Sequence, residues 1–233
     1  MRPLGIVTGL RAEARILSAE AHDWDRLVRC KGPGPERAND AAQDLIKEGV
    51  CALVSAGVAA GLDPRLESGT VVVADAVLSP DGERFETDPH LRNVLFETLR
   101  RAGVEPVVAA LTGVDRPVLR RGEKIWLFRR TGAGAVDMES HAVARAAQGA
   151  GLPFGAVRLI VDPARQNLPR FVAAAYTLEG RLRPLRAAIG LCLRPWEIVG
   201  LVALARRMGR ASSGLRRVAP LLGLDLIEDL FHL

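Results

Sequence analysis

The sequence predicts a three-layer α/β fold, with a mostly parallel, mixed central sheet and a C-terminal helical extension. Three observations lead there. Apolar runs of strand length alternate with helix-length amphipathic segments as far as residue 165, the pattern of a largely parallel sheet covered on both faces. Beyond Pro169 the pattern turns to helices alone. The composition, 48% hydrophobic and 25% charged, is that of a folded chain rather than a disordered one.

In order, Leu4–Thr8 reads as a buried strand, Glu13–Glu20 as a helix and Leu27–Cys30 as a second strand, closed by Gly32-Pro33-Gly34-Pro35. Ala38–Lys47 has helical spacing, Cys51–Ser55 is a strand and Thr70–Val77 a longer one. Leu91–Ala102 is an amphipathic helix, Val107–Leu111 a strand and Gly122–Arg130 a helix. Ala135–Met138 is a short strand that runs into a helix starting at Glu139. There Val143, Ala146, Ala147 and Ala150 keep helical spacing until Gly151. Gly155–Val161 is the last strand. Leu182–Leu193 and Pro195–Met208 read as arginine-punctuated helices, with Pro195 placed to start the second. Gly209–Gly214 reads as a break before a short helix. Residues 1–165 are thus expected to form the catalytic domain and 166–233 a helical extension packed on it.

Several classes are excluded. Cys30, Cys51 and Cys192 form no CxxC pair, which argues against a disulfide framework or a zinc site and fits a reducing cytoplasm. The N-terminus shows no signal peptide pattern, and no apolar run reaches the length of a membrane span. The net charge of +5 resides in the tail, where residues 165–233 hold eleven arginines and no lysine against five acids.

The chemistry concentrates at two junctions. Val136-Asp137-Met138-Glu139 places a Met-Glu pair where a strand becomes a helix, and Arg158-Leu159-Ile160-Val161-Asp162 is a strand that ends on a carboxylate. Glu13, just after the first strand, offers a third acid. Together with Gly5–Glu13, Lys31-Gly32-Pro33-Gly34 and Ser55–Leu62, these segments resemble, in the right order over residues 1 to about 165, the purine nucleoside phosphorylase and methylthioadenosine/adenosylhomocysteine nucleosidase superfamily. Val161-Asp162-Pro163-Ala164, Leu168-Pro169, Leu193-Arg194-Pro195 and the arginine-rich helices are similar to its hopanoid-associated phosphorylase branch.

The resemblance implies cleavage of the N-glycosidic bond of a 5′-substituted adenosine, most specifically adenine release from adenosylhopane in hopanoid synthesis. Such cleavage builds positive charge on the ribose and negative charge on the leaving base. Asp162 is the candidate acid at the base, which needs a raised pKa that Ile160, Val161 and Pro163 favour by desolvation. Glu139 is expected to accept hydrogen bonds from the ribose hydroxyls, its charge favoured by the helix start. Met138 is expected to pack on the sugar, Glu13 to activate water, and Gly57 and Val58 to line the substrate. Thr112–Val118 lies where the family holds the base. No metal or organic cofactor is implied; phosphate or water is the co-substrate. Val161 stands where the family has serine before the acid, which removes an orienting hydrogen bond. Ser55 and Val58 stand near the usual phosphate ligands, with Arg11 and Arg15 as substitutes, so phosphorolysis and hydrolysis both stay open.

Plainer readings stand beside these. Glu139 suits any first helical turn, Asp162 suits a capped turn before Pro163, and Glu13 suits a solvated helix face. His141 suits a packed helix residue better than a catalyst. The basic tail reads as a solvated face, as an element at an anionic membrane surface, or, least, as a nucleic-acid surface without a recognised module. The expected partners are a small nucleoside, lipid-linked, and further copies of the chain. The expected location is the cytoplasm, at the inner face of the membrane, with no nucleic acid bound. The rivals are a methylthioadenosine/adenosylhomocysteine nucleosidase and a catalytically silent nucleoside- or lipid-binding protein.

Overall fold

The computed structural model describes residues 2–19, 26–168 and 198–223, the first four of the last stretch as backbone only. The helix expected over Leu182–Leu193, Cys192 and the C-terminal end beyond 223 lie outside the described residues.

Strands β1 (Leu4–Val7), β2 (Arg26–Arg29), β3 (Ala52–Gly61), β4 (Val71–Leu78), β5 (Arg84–Glu86), β6 (Val107–Gly113), β7 (Ala135–Asp137) and β8 (Phe154–Asp162) form one eight-stranded sheet. It is mixed and mostly parallel. β1 pairs in parallel with β2 and β3, β3 with β8, β4 with β6, and β6 with β7. Antiparallel pairings join β3 to β7, β4 to β5 and β4 to β8. The pairings β3–β7–β6–β4–β8–β3 close a ring, and β1 lies between β2 and β3, so β2 and β5 are the two edge strands among the described residues.

Helices cover both faces. α2 (Pro35–Lys47) starts on a proline at its first position and buries Ala38, Ala41, Ala42 and Leu45, the i, i+3, i+4, i+7 spacing of a helical stripe. It packs with α5 (Ser140–Gly149) over Val7, Leu53 and Ile160. On the other face lie α1 (Arg11–Leu17), α3 (Pro89–Arg101) and α6 (Ile198–Val218), which cover Leu4, Ile6, Val54 and Leu159. The Asp88 carboxylate caps α3 by accepting from the Leu91 N–H at 2.8 Å. α4 (Arg121–Thr131) ends on Gly132 in the left-handed conformation, φ 67°. Each fully buried leucine or isoleucine in these layers contributes about 1.5–3 kcal/mol relative to exposure.

Three departures from the sequence reading have physical causes. The expected break at Gly209–Gly214 is absent, since α6 runs unbroken through both glycines. Gly214 serves close packing: a Cβ there would lie 2.5 Å from Leu159 Cδ2. β3 continues six residues past Ser55 because the small residues of Ser55–Gly61 let β8 pair along its whole length. β5, too short to show a period, pairs with β4 through Ala76–Leu78. α6 ends in a 3-10 turn, Ala219–Leu222, and its buried Ala211, Leu215 and Val218 belong to the same core as β8.

Candidate active site

A cavity of about 820 Å³ opens where β1, β3, β6, β7 and β8 end. Glu13, Val58, Met138, Glu139 and Asp162 all line it, so five of the six expected site residues meet there. Gly57 lies behind rather than on the wall. A Cβ on it would fall 3.0 Å from the Glu13 carboxylate, so glycine makes room for that acid. The loop expected at the base supplies Val114, Asp115, Pro117 and Val118.

Glu13 is fixed from three sides. Its Oε2 accepts from Thr8 Oγ1 at 2.5 Å and from the Leu10 N–H at 2.9 Å, which caps α1. Its Oε1 accepts from the Val58 N–H at 2.9 Å. Burial pushes its pKa up; the Thr8 hydroxyl, the Val58 N–H, the Arg158 charge and the Leu10 N–H oppose this.

Glu139 holds the cap position of α5, and its Oε1 accepts from the Gly34 N–H at 3.0 Å. Gly9 closes over it, for a Cβ there would lie 2.7 Å from Oε1. The helix start does not prevail. Burial first, then the like charge of Asp137, raise its pKa to about 7 against Arg158 and the Gly34 N–H.

Beneath these acids runs a buried network, of which the sequence reading places Ser55 alone near the site. Arg158, 1% exposed, donates from Nε to Asp137 Oδ2 at 2.5 Å and from Nη2 to Ser55 Oγ at 2.7 Å and Ser140 Oγ at 3.0 Å. Ser140 Oγ donates in turn to Asp137 Oδ2. A fully buried arginine requires such partners.

Asp162 comes from the end of β8. The β3–β8 register skips from Ala59↔Ile160 to Ala60↔Asp162, so β8 carries one extra residue, Val161. This bulge lets consecutive residues Val161 and Asp162 both face the cavity, as bulges beside active sites commonly do. Asp162 Oδ2 forms a buried ion pair with Lys124 Nζ of α4, while Oδ1 is buried and has no partner among the described residues. Burial raises the Asp162 pKa; Lys124 and then Arg207 oppose it.

The remaining wall is apolar: Leu10, Val118, Leu119 and Leu168, with Leu204 and Met208 from α6. Among the described residues Arg37 is the single basic one lining the cavity, against the acids Glu13, Glu36, Asp115, Asp137, Glu139 and Asp162. Arg11 and Arg15 do not line it. His141 is buried outside the wall, its Nε2 3.9 Å from Asp115 Oδ1, and burial lowers its pKa. Among the described residues no His, Cys, Asp and Glu group could hold a metal ion.

The tail helices are the lining that the sequence reading expects for an apolar 5′ channel, and α6 supplies Leu204 and Met208; Lys124 is what sequence reasoning missed. No sequence signal marks Lys124: only the fold shows that α4 buries its lysine completely while Trp126 is 55% exposed.

Comparisons with known proteins agree with this architecture. The chain matches no curated protein. Among solved structures it is similar to the 5′-methylthioadenosine/S-adenosylhomocysteine nucleosidase of Neisseria meningitidis in complex with methylthio-immucillin-A. That match has a TM-score of 0.73 and 14% identity, over 95% of this chain and 98% of that one. The corresponding nucleosidase of Helicobacter pylori gives 0.72 and 16%, over 95% and 96%. Futalosine hydrolase of the same organism gives 0.64 and 20%, over 70% and 88%. At these identities the likeness is one of fold. A family model, the phosphorylase superfamily, matches residues 7–179. With most of its length covered by that model and its acids gathered at the strand ends, the chain belongs to the phosphorylase superfamily.

Proposed function

We propose that the protein hydrolyses the N-glycosidic bond of an adenosine carrying an apolar 5′ substituent, releasing adenine. One observation carries this reading: Glu13, Glu139 and Asp162 face one cavity, which Met138 and apolar side chains also line. In this reading Glu139 accepts from the ribose hydroxyls and Met138 packs on the sugar. Asp162 gives a proton to the leaving base and Glu13 takes one from the attacking water. General acid catalysis at such a site contributes roughly 10²–10⁴-fold.

Water is favoured over phosphate as nucleophile by charge. Among the described residues that line the cavity a phosphate dianion would meet one arginine, Arg37, against the ionised Glu13 and Glu139 that the reaction uses, and like charges at close range are costly in a poorly solvated site. The Arg158 guanidinium is already committed to Asp137, Ser55 and Ser140. The apolar wall, which α6 completes with Leu204 and Met208, supports a 5′ group as large and apolar as the hopane of adenosylhopane. The structures named above support a smaller group, as in methylthioadenosine, as the second reading.

The outer face of α6 exposes Arg206, Arg210, Arg216 and Arg217, and the helix contains no acid. This suits an anionic lipid surface beside a lipid-linked substrate. No helix of the described residues is long and apolar enough to cross a membrane.

The test is adenine release from adenosylhopane, methylthioadenosine and unsubstituted adenosine, each with and without phosphate. The reading expects release without phosphate, fastest for the hopanoid. Strict dependence on phosphate would replace hydrolysis by phosphorolysis, and no release from any of the three would reject the reading.

A further inference from the structure

Lys124 lies outside the cavity wall, yet its ammonium is wholly buried and aimed at the candidate acid. Nζ pairs with Asp162 Oδ2. It also lies 3.3 Å from the Asp162 carbonyl, 3.0 Å from that of Pro163 and 3.1 Å from that of Gln166. The charged groups facing Asp162 are Lys124 from α4 and Arg207 from α6, whose Nε is also buried without a partner among the described residues. The neighbouring strand residues, Ala59, Ala60 and Val161, bring no charge.

A lysine gains nothing by such burial unless its charge is matched, and removing either partner leaves an uncompensated buried charge. Carbonyl contacts alone would tie down the 162–166 turn. They would not require the ammonium to lie on the carboxylate as well. The arrangement leaves Oδ2 occupied and Oδ1, the one unpartnered atom of the carboxyl group, for a ligand.

We propose that Lys124 is the positioning residue for the acid, holding Asp162 by Oδ2 so that Oδ1 delivers its proton to the leaving base, and stabilising the carboxylate that remains. It fills the orienting role that Val161, unable to hydrogen-bond through its side chain, leaves open. The proposal rests on the hydrolytic reading above. The C1′–N9 bond breaks with its electron pair passing to the base, and the proton on Oδ1 moves to a ring nitrogen of that base. The attacking water bonds to C1′ and loses a proton to Glu13. Lys124 keeps its protons throughout; Glu13 releases its proton to solvent and Asp162 is reprotonated from it. Burial alone would hold the Asp162 proton too tightly, and the paired ammonium, which lowers the pKa, brings it back towards release.

Two measurements test this on the full-length protein. The first is the pH dependence of kcat for methylthioadenosine in wild type, Lys124→Met and Lys124→Arg. In Lys124→Met, kcat at the optimum should fall roughly 10–100-fold while KM changes little, and the alkaline limb should move up by about one pH unit. Lys124→Arg, which keeps the charge, should restore the limb. A limb that stays in place in Lys124→Met, with only thermal stability reduced, would leave Lys124 a merely structural tie and overturn the proposal.

The second measurement needs no turnover. The sequence contains three lysines, Lys31, Lys47 and Lys124, so their side-chain nitrogens can be followed singly by NMR. The Lys124 midpoint should fall by about one pH unit or more in Asp162→Asn, through loss of its carboxylate partner. An unchanged midpoint would overturn the pairing. If wild type releases no base from any nucleoside, the hydrolytic reading fails, and the NMR result judges the pair by itself.

Discussion

The two glutamates and the aspartate of the cavity are held by opposite means. Glu13 and Glu139 are gripped by backbone N–H groups of Leu10, Val58 and Gly34, with glycines at positions 9 and 57 giving the carboxylates room. Asp162 is held by a buried side-chain cation. Backbone donors are fixed by the fold and make these carboxylates rigid acceptors. A lysine pair makes a carboxyl group whose readiness to release a proton depends on one replaceable side chain. The difference matches the roles assigned: two groups that must accept, and one that must give.

The largest expected effect removes the aspartate. Asp162→Asn should lower kcat by roughly 10²–10⁴-fold with unchanged secondary structure. A loss below tenfold in a nucleoside assay would remove Asp162 from the chemistry. Next, Glu13→Gln should cost about 10²-fold in hydrolysis, while equilibrium binding of adenine stays within about twofold because Glu13 serves the water rather than the base. A variant that loses adenine binding in step with kcat would contradict that division.

Glu139 sharpens the comparison because its site disfavours its charge. A pKa of about 7 in the folded state, above the ordinary 4.5, means that the native protein prefers the protonated form. That stability is complete below the unfolded value and is lost as pH rises through about 7. Glu139→Gln should therefore raise thermal stability at pH 8, by up to about 3 kcal/mol, and make little difference at pH 4, while weakening nucleoside binding. Equal stability of the two proteins at pH 8 would show that Arg158 and the Gly34 N–H outweigh burial.

The smallest effect concerns the apolar wall. Met208→Ser should reduce kcat/KM about tenfold for a nucleoside with a large apolar 5′ group and leave adenosine unaffected. Equal losses on both would take α6 out of substrate recognition.

Much of this was legible in the sequence. The alternation of strands and helices gave the layers, because buried parallel strands and amphipathic helices have distinct periods. Glu13, Met138, Glu139 and Asp162 could be read because each sits at a strand end or strand-to-helix junction. Three things could not be read. The bulge at Val161 is a register slip between partners about one hundred residues apart. The close packing of α6 at Gly214 depends on Leu159, a contact that no local propensity encodes. Lys124 looked like any lysine in an exposed helix, because only the tertiary fold turns that face inward.

The pH profile of kcat/KM for the wild-type enzyme tests the central claim most directly, since the claim is one of opposite protonation states within a single cavity. Activity should rise as Glu139 ionises near pH 7, and that rise should be lost in Glu139→Gln. A flat profile, or one highest near pH 5 and lost by pH 7, would contradict the account.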